Sequence, residues 1–252
     1  MVKTDDGNTI SDYDKEEIRG GGHISATVVP ILWEETKINF IDTPGFFDFA
    51  GEARAALSTG ATAIIMVDAS SGIQVGTEKA WDLVKEYNSP TFFIINKIDK
   101  DNVELDEVIS AIQDKFGSAC VTLDDKDALD EAVAAADEEL MEKFFEGEAF
   151  TDEEFAHGLA TGIHNGDIMP IMTMSALTGE GVDVVLDSLC KYVPKPATVV
   201  TEAKDADGND IEIACDPAGD LVLYIFKTLA DPFLGKIIAR SEERRVGKEC
   251  RS

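Results

Sequence analysis

Three short stretches of the chain hold side chains whose types and spacing suit work on a nucleotide. Asn96-Lys97-Ile98-Asp99 directly follows the apolar run Thr91-Phe92-Phe93-Ile94-Ile95. An ionised Asp99 presents two acceptor oxygens, which match the two adjacent N–H donors on the edge of guanine. The amide of Asn96 suits tying neighbouring loops together, and the stem of Lys97 suits lying across a base plane. The competing reading is a polar loop after a strand. An N-K-x-D match arises by chance in roughly 3 % of chains of this length, so the motif does not carry the assignment alone. Asp42-Thr43-Pro44-Gly45 follows Lys37-Ile38-Asn39-Phe40-Ile41. In this D-x-x-G spacing a carboxylate can hold a water on Mg²⁺ while the Gly45 N–H reaches a terminal phosphate, an approach that a side chain would block. Its competing reading is a Pro-Gly turn leading into a helix. Ser175-Ala176-Leu177 follows Met169-Pro170-Ile171-Met172-Thr173-Met174. In chain order the three signals are Asp42–Gly45, Asn96–Asp99 and Ser175–Leu177, each at the end of a buried strand, where open α/β sheets place ligands. Together they point to guanine nucleotide binding.

The elements that must position these loops are legible as patterns. Ala63-Ile64-Ile65-Met66-Val67, Thr91 to Ile95 and Met169 to Met174 are unbroken apolar runs, as expected for strands of a parallel sheet covered on both faces. Lys37 to Ile41 reads as a further strand. Between them, Glu52 to Leu57, Thr77 to Tyr87 and 181–192 read as helices, the second with Ala80, Trp81, Val84 and Tyr87 on one face. The fold class expected is therefore α/β, a doubly wound, mostly parallel sheet. Residues 101–165 interrupt the alternation with acidic helical sequence and read as a helical insertion. Pro194-Lys195-Pro196 closes the domain, placing it at 1–196. Residues 197–239 read as a linker and the start of a β-rich domain, with a turn at Asp207-Gly208-Asn209.

The chain carries 50 acids against 22 bases in 252 residues, a formal net charge of −28. That balance argues against a nucleic-acid-binding surface spread over the whole chain, and leaves room for a local nucleotide pocket. Residues 101–160 alone hold 19 acids and 3 bases and read as a solvated face. No apolar run approaches the roughly 18–20 residues of a membrane span. Cys120, Cys190, Cys215 and Cys250 lie far apart and form no metal-binding spacing, so they read as reduced thiols of a cytoplasmic protein. Residues 240–252 read as the in-frame translation of a sequencing-library adapter and are set aside from the fold. They are expected to project from the body, with Val246 unburied.

The same motifs resemble the GTP-binding domain of translation elongation factor G. The resemblance rests on Asp42 to Phe49, Gly76-Thr77-Glu78-Lys79, Asn96 to Asp99, Ser175 to Gly179 and Ala230-Asp231-Pro232-Phe233-Leu234-Gly235-Lys236. It is nearest to the bacterial elongation-factor-G-like branch of the translational GTPases, where an aromatic residue also follows D-T-P-G. The resemblance implies a P-loop GTPase-type domain followed by the start of a β-barrel domain. It also implies GTP hydrolysis stimulated by the ribosome and coupled to tRNA–mRNA translocation. Cofactors implied are GTP or GDP and Mg²⁺. Partners implied are the guanine nucleotide and the ribosome, through its rRNA and proteins, with no membrane and a monomeric state. The nucleotide-binding residues carried over are Asp42, Thr43, Pro44, Gly45, Asn96, Lys97, Asp99, Ser175, Ala176 and Leu177, with Asp42 holding Mg²⁺ through water. A ribosomal protection or release-factor-type GTPase shares these motifs. A ribosome-binding module without hydrolysis is the reading from another class.

Departures from the family pattern set further expectations. No G-x-x-x-x-G-K-[ST] occurs in the 252 residues, and the resemblance places that phosphate loop before Met1, with the chain shortened at both ends. Three lost charge-assisted hydrogen bonds remove at least ~5 kcal/mol, so tight binding and hydrolysis of Mg²⁺-GTP are not expected of the chain as given. In the first switch, Gly20-Gly21-Gly22-His23-Ile24 puts His23 at the family's Mg²⁺-binding Thr, with Ser25 or Thr27 as substitutes after a register shift. Otherwise His23 is a loop histidine. The family's water-orienting His falls on Phe46, so no catalytic residue is assigned; Phe46, Phe47 and Phe49 are expected to pack.

Overall fold

The computed structural model describes Glu17 and residues 22–195, 200–205, 207–214, 222–231 and 235–242. Contacts divide the chain into two compact units, residues 1–57 with 61–193, and residues 58–60 with 194–252.

The first unit is organised around four strands, β3 (Ala63–Asp68), β4 (Thr91–Asn96), β5 (Cys120–Thr122) and β6 (Met169–Met174), in the order β3-β4-β6-β5 and all parallel. Strand β4 shows why the fold is doubly wound. Its side chains alternate between two cores, Phe93 and Ile95 facing one and Phe92 and Ile94 the other, and all four are buried. Burial of each such side chain is worth roughly 1.5–3 kcal/mol. The first core is completed by α1 (Ala50–Leu57), α2 (Val75–Glu86) and α3 (Leu105–Phe116) through Leu57, Val84, Val108, Ile112 and Phe116. The Phe116 ring stacks on Phe93 at 5.1 Å and meets Trp81 at 5.2 Å. The second core is closed by α4 (Lys126–Ala136), α5 (Glu138–Glu146), α6 (Asp152–Asn165) and α7 (Val182–Tyr192). Leu129, Val133, Leu140, Leu159, Ile163, Val185 and Leu189 supply its buried side chains.

Two elements differ from the sequence expectation. Lys37 to Ile41 is not a doubly covered parallel strand. It lies in β2 (Thr36–Asp42), which pairs antiparallel with β1 (Thr27–Trp33), Thr27 opposite Asp42, across a two-residue turn at Glu34-Glu35. The alternation of half-buried and exposed side chains along β2 is that of a strand with one wet face. Phe40 of β2 and Ile64 of β3 pack against the same core. The stretch 101–165 is also not wholly helical, because β5 forms an edge of the sheet inside it. Three residues are too few to show a strand period.

In the second unit, β7 (Val200–Lys204) and β8 (Asp210–Ala214) form a hairpin whose turn is held by Asp205, which accepts from the N–H groups of Asp207 and Asn209 and from the Asn209 amide. Strand β9 (Leu223–Asp231) pairs antiparallel with β10 (Gly235–Glu242). Here the expectation that residues 240–252 project is corrected at its start. Arg240, Ser241 and Glu242 pair with Ile225, Tyr224 and Leu223. The register shifts at Ala239/Arg240, where the adapter-like sequence begins. A ladder is made by backbone groups, which every residue here supplies whatever its side chain. Val246, Cys215, Cys250, Gly20, Gly21, Pro196 and 232–234 lie outside the described residues. No described helix is long and apolar enough to cross a membrane.

Candidate nucleotide-binding site

The parallel register of β4 and β6 puts Asn96 beside Met174, so the loops that follow both strands leave the sheet side by side. Asn96 joins them. Its Oδ1 accepts from the Lys97 N–H at 2.8 Å and from the Ala176 N–H, on the other loop, at 2.9 Å. The Ser175 hydroxyl donates to Asp99 Oδ1 at 2.5 Å and accepts from the Thr178 N–H at 3.1 Å. Ser175 is fully buried, whereas Asp99, Ala176 and Leu177 are exposed, Leu177 to 57 %. The structure thus brings Asn96, Asp99, Ser175 and Ala176 into one network that leaves a carboxylate facing outward. The loop closes with Ser175 N–H on the Glu180 carbonyl and Gly179 N–H on the Ser175 carbonyl. Gly181 completes the turn. Its φ is +74° and a Cβ there would lie 2.6 Å from the Thr173 carbonyl oxygen, so only glycine fits.

Asp42 ends β2, and Thr43, Pro44 and Gly45 form the loop that follows. Pro44 is buried and Gly45 exposed, with no atom within 4 Å of where a Cβ would stand. The space that a side chain at Gly45 would fill is therefore open. Asp42 Oδ2 lies 3.1 Å from His23 Nε2, and the Asp42 side chain is 45 % exposed. Mg²⁺ takes oxygen ligands and keeps several waters. The Asp42 carboxylate fits a water-mediated role, whereas the His23 nitrogen is a partner for that carboxylate and a poor ligand for so hard a cation. Ser25 is fixed through its N–H on Glu17 Oε1 at 3.2 Å, beside the Ile24 N–H at 2.9 Å. Glu17 is 1 % exposed. Thr27 is buried at the start of β1.

Of the aromatic residues after Gly45, which are expected to pack, Phe49 is half-buried, whereas Phe46 and Phe47 pack at the surface. Phe46 is 58 % and Phe47 48 % exposed. Phe46 lies across Gly22, where a Cβ would come 2.7 Å from its ring edge, and Lys79 Nζ sits 3.6 Å above the Phe47 ring.

One cluster was not read from the sequence. Asp68, the last residue of β3, stands opposite Asn96 in the β3–β4 register. Its Oδ2 accepts from Lys97 Nζ at 2.7 Å and from Lys100 Nζ at 3.4 Å. Its Oδ1 accepts from the Ser70 N–H at 2.9 Å and hydroxyl at 2.6 Å. Lys97, and after it Ser70, hold the Asp68 carboxyl well below the usual carboxylate range. The signal was a carboxylate closing an apolar run, visible only once the two strands were placed in register. Lys97 itself has a left-handed backbone, φ +67°.

A family model described as the elongation factor Tu GTP binding domain matches residues 1–195. An elongation factor G-like protein of Thermotoga maritima is 27 % identical over 266 aligned positions, covering 90 % of this chain and 39 % of its own length. A crystal structure of a protein from Thermus thermophilus superposes with a TM-score of 0.82 at 22 % identity, over 97 % of this chain and 41 % of that one. The chain thus spans about two fifths of the length of these relatives.

Proposed function

The chain belongs to the elongation factor Tu GTP-binding domain family, and from that premise we propose that it is the guanine-nucleotide module of a translational GTPase of the elongation factor G type. The whole protein would couple GTP hydrolysis on the ribosome to movement of tRNA and mRNA. In this reading Asp99 accepts from the N1–H and the exocyclic amino group of guanine. Asn96 and Ser175 hold the loops that carry it, Lys97 flanks the base, and the Ala176 and Leu177 loop supports it from the other side. Asp42 holds Mg²⁺ through water, and the Gly45 N–H faces the terminal phosphate. When bound, Mg²⁺ supplies charge neutralisation to the phosphates. Phe46 has no group to orient or deprotonate a water, so no side chain of this loop is assigned that task.

The observation that carries the reading is the Ser175–Asp99 hydrogen bond together with the Asn96 bridge to Ala176, which leaves Asp99 held and outward-facing. The test is Asp99→Asn. The amide presents a donor to a guanine donor, which costs about 10- to 100-fold in GDP affinity. Xanthine carries a carbonyl where guanine has its amino group, so the variant should prefer XDP. Competition titrations of the whole protein, phosphate loop included, read both. Unchanged GDP affinity in the variant would sink the assignment.

A further inference from the structure

We infer that Asp68 is a positioning residue for the guanine pocket: by holding Lys97 Nζ at the end of β3, it presets the Lys97 stem as one wall of the base site. The inference rests on the guanine reading above and adds to it a residue that takes no part in contacting the nucleotide.

The geometry supplies the argument. Lys97 follows β4 and its Nζ reaches the end of the neighbouring strand β3, so its stem bridges two strand ends beside Asp99. A lysine half exposed to solvent, as Lys97 is at 50 %, ordinarily populates many rotamers. Here its end is fixed by a carboxylate that is itself fixed. Both Asp68 oxygens are used, one by the two lysines and the other by the Ser70 N–H and hydroxyl. Lys100 Nζ also reaches Ser70 Oγ at 2.9 Å, which ties the cluster into a ring. Asp68 is 25 % exposed, less than either lysine. Its carboxyl stays ionised at all ordinary assay pH values, because Lys97 first and Ser70 next lower its proton affinity. A wall ordered before the ligand arrives spares the ligand the entropy of ordering it.

The experiment titrates the whole protein, phosphate loop included, with GDP, followed by NMR, in wild type, Asp68→Asn, Asp68→Glu, Lys97→Ala and the Asp68→Asn/Lys97→Ala pair. Because the ion pair is partly solvated, its loss is expected to weaken GDP binding by about 2- to 5-fold, with thermal stability nearly unchanged. The double variant should bind no more weakly than Lys97→Ala alone, since Asp68 acts only through Lys97. Asp68→Glu should recover most of the affinity. The methylene signals of Lys97 should shift upfield on GDP addition in wild type, where the base lies over the stem, and not in Asp68→Asn. Equal GDP affinities for wild type and Asp68→Asn, additive losses in the pair, or tighter binding by Asp68→Asn would each overturn the inference while leaving the guanine reading in place. Absence of saturable GDP binding by the wild type would overturn that reading, and this inference with it.

Discussion

Asp42 is the last residue of its strand and Asp99 follows its own by three residues, yet the two are held differently. Asp99 receives the hydroxyl of a fully buried serine, and that serine is locked in turn by Thr178. The loops on either side are joined through Asn96, and both leave adjacent strands of one parallel sheet. Asp42 ends a two-stranded hairpin, is 45 % exposed, and has a half-buried histidine 3.1 Å away. The loop that follows it shows two phenylalanine rings to solvent. The difference shows how rigidity is inherited. A carboxylate at the joint of two packed strands is placed by the core beneath it, whereas one at a hairpin end depends on its own few contacts.

Among substitutions that leave Asp99 itself in place, Ser175→Ala should produce the largest change at the base end. It leaves Asp99 without its donor and costs roughly 1–2 kcal/mol, about 10-fold in GDP affinity, with a small fall in Tm. A change under twofold, read by calorimetric titration, would mean that Asp99 is not held by Ser175. Asp42→Ala should do much less to GDP binding without Mg²⁺, within about threefold, since a half-exposed pair is worth little. The same substitution should remove whatever strengthening Mg²⁺ gives. A larger loss in the absence of Mg²⁺ would show that the two ends are not independent.

The smallest effect on the site is expected from the helical region, where Glu154 serves as a control. Glu154 caps α6 through Thr151 and pairs with Lys143. Lys143 first, then the Thr151 N–H, brings its carboxyl down to about 2 from an ordinary 4.5. A folded-state value below the unfolded one means the contribution is complete above about pH 4.5 and is lost as pH falls toward 2. Glu154→Gln should therefore lower Tm by a constant amount above pH 5, about where the unfolded carboxyl is already ionised, and by progressively less toward pH 2. GDP affinity at neutral pH should not move. A Tm difference that grows on acidification would reverse the sign of this linkage.

Much of the site was legible because it is local in sequence. Asn96 to Asp99 and Ser175 to Leu177 each follow an apolar run long enough to read as a strand, and chain order alone suggested that they meet. What was not legible depends on pairing between distant segments. Strand β1 holds Pro30 and alternates weakly, and it becomes a strand only through its register with β2. The link from Lys97 to Asp68 spans 29 residues and exists because β3 and β4 are adjacent and parallel. The exposure of Phe46 and Phe47 depends on loop geometry, which residue type does not encode. The strand at Arg240–Glu242 is backbone pairing, to which composition is a poor guide.

The most direct test of the account is the affinity of the unmodified whole protein, phosphate loop included, for GDP against ADP, measured by calorimetry in one buffer. The two ligands share ribose and phosphates, so their ratio reads the base end alone. Adenine offers no pair of adjacent N–H donors, and Asp99 would be left facing a C–H and a ring nitrogen. The account predicts GDP binding at least about 10-fold tighter than ADP. Equal affinities would contradict it.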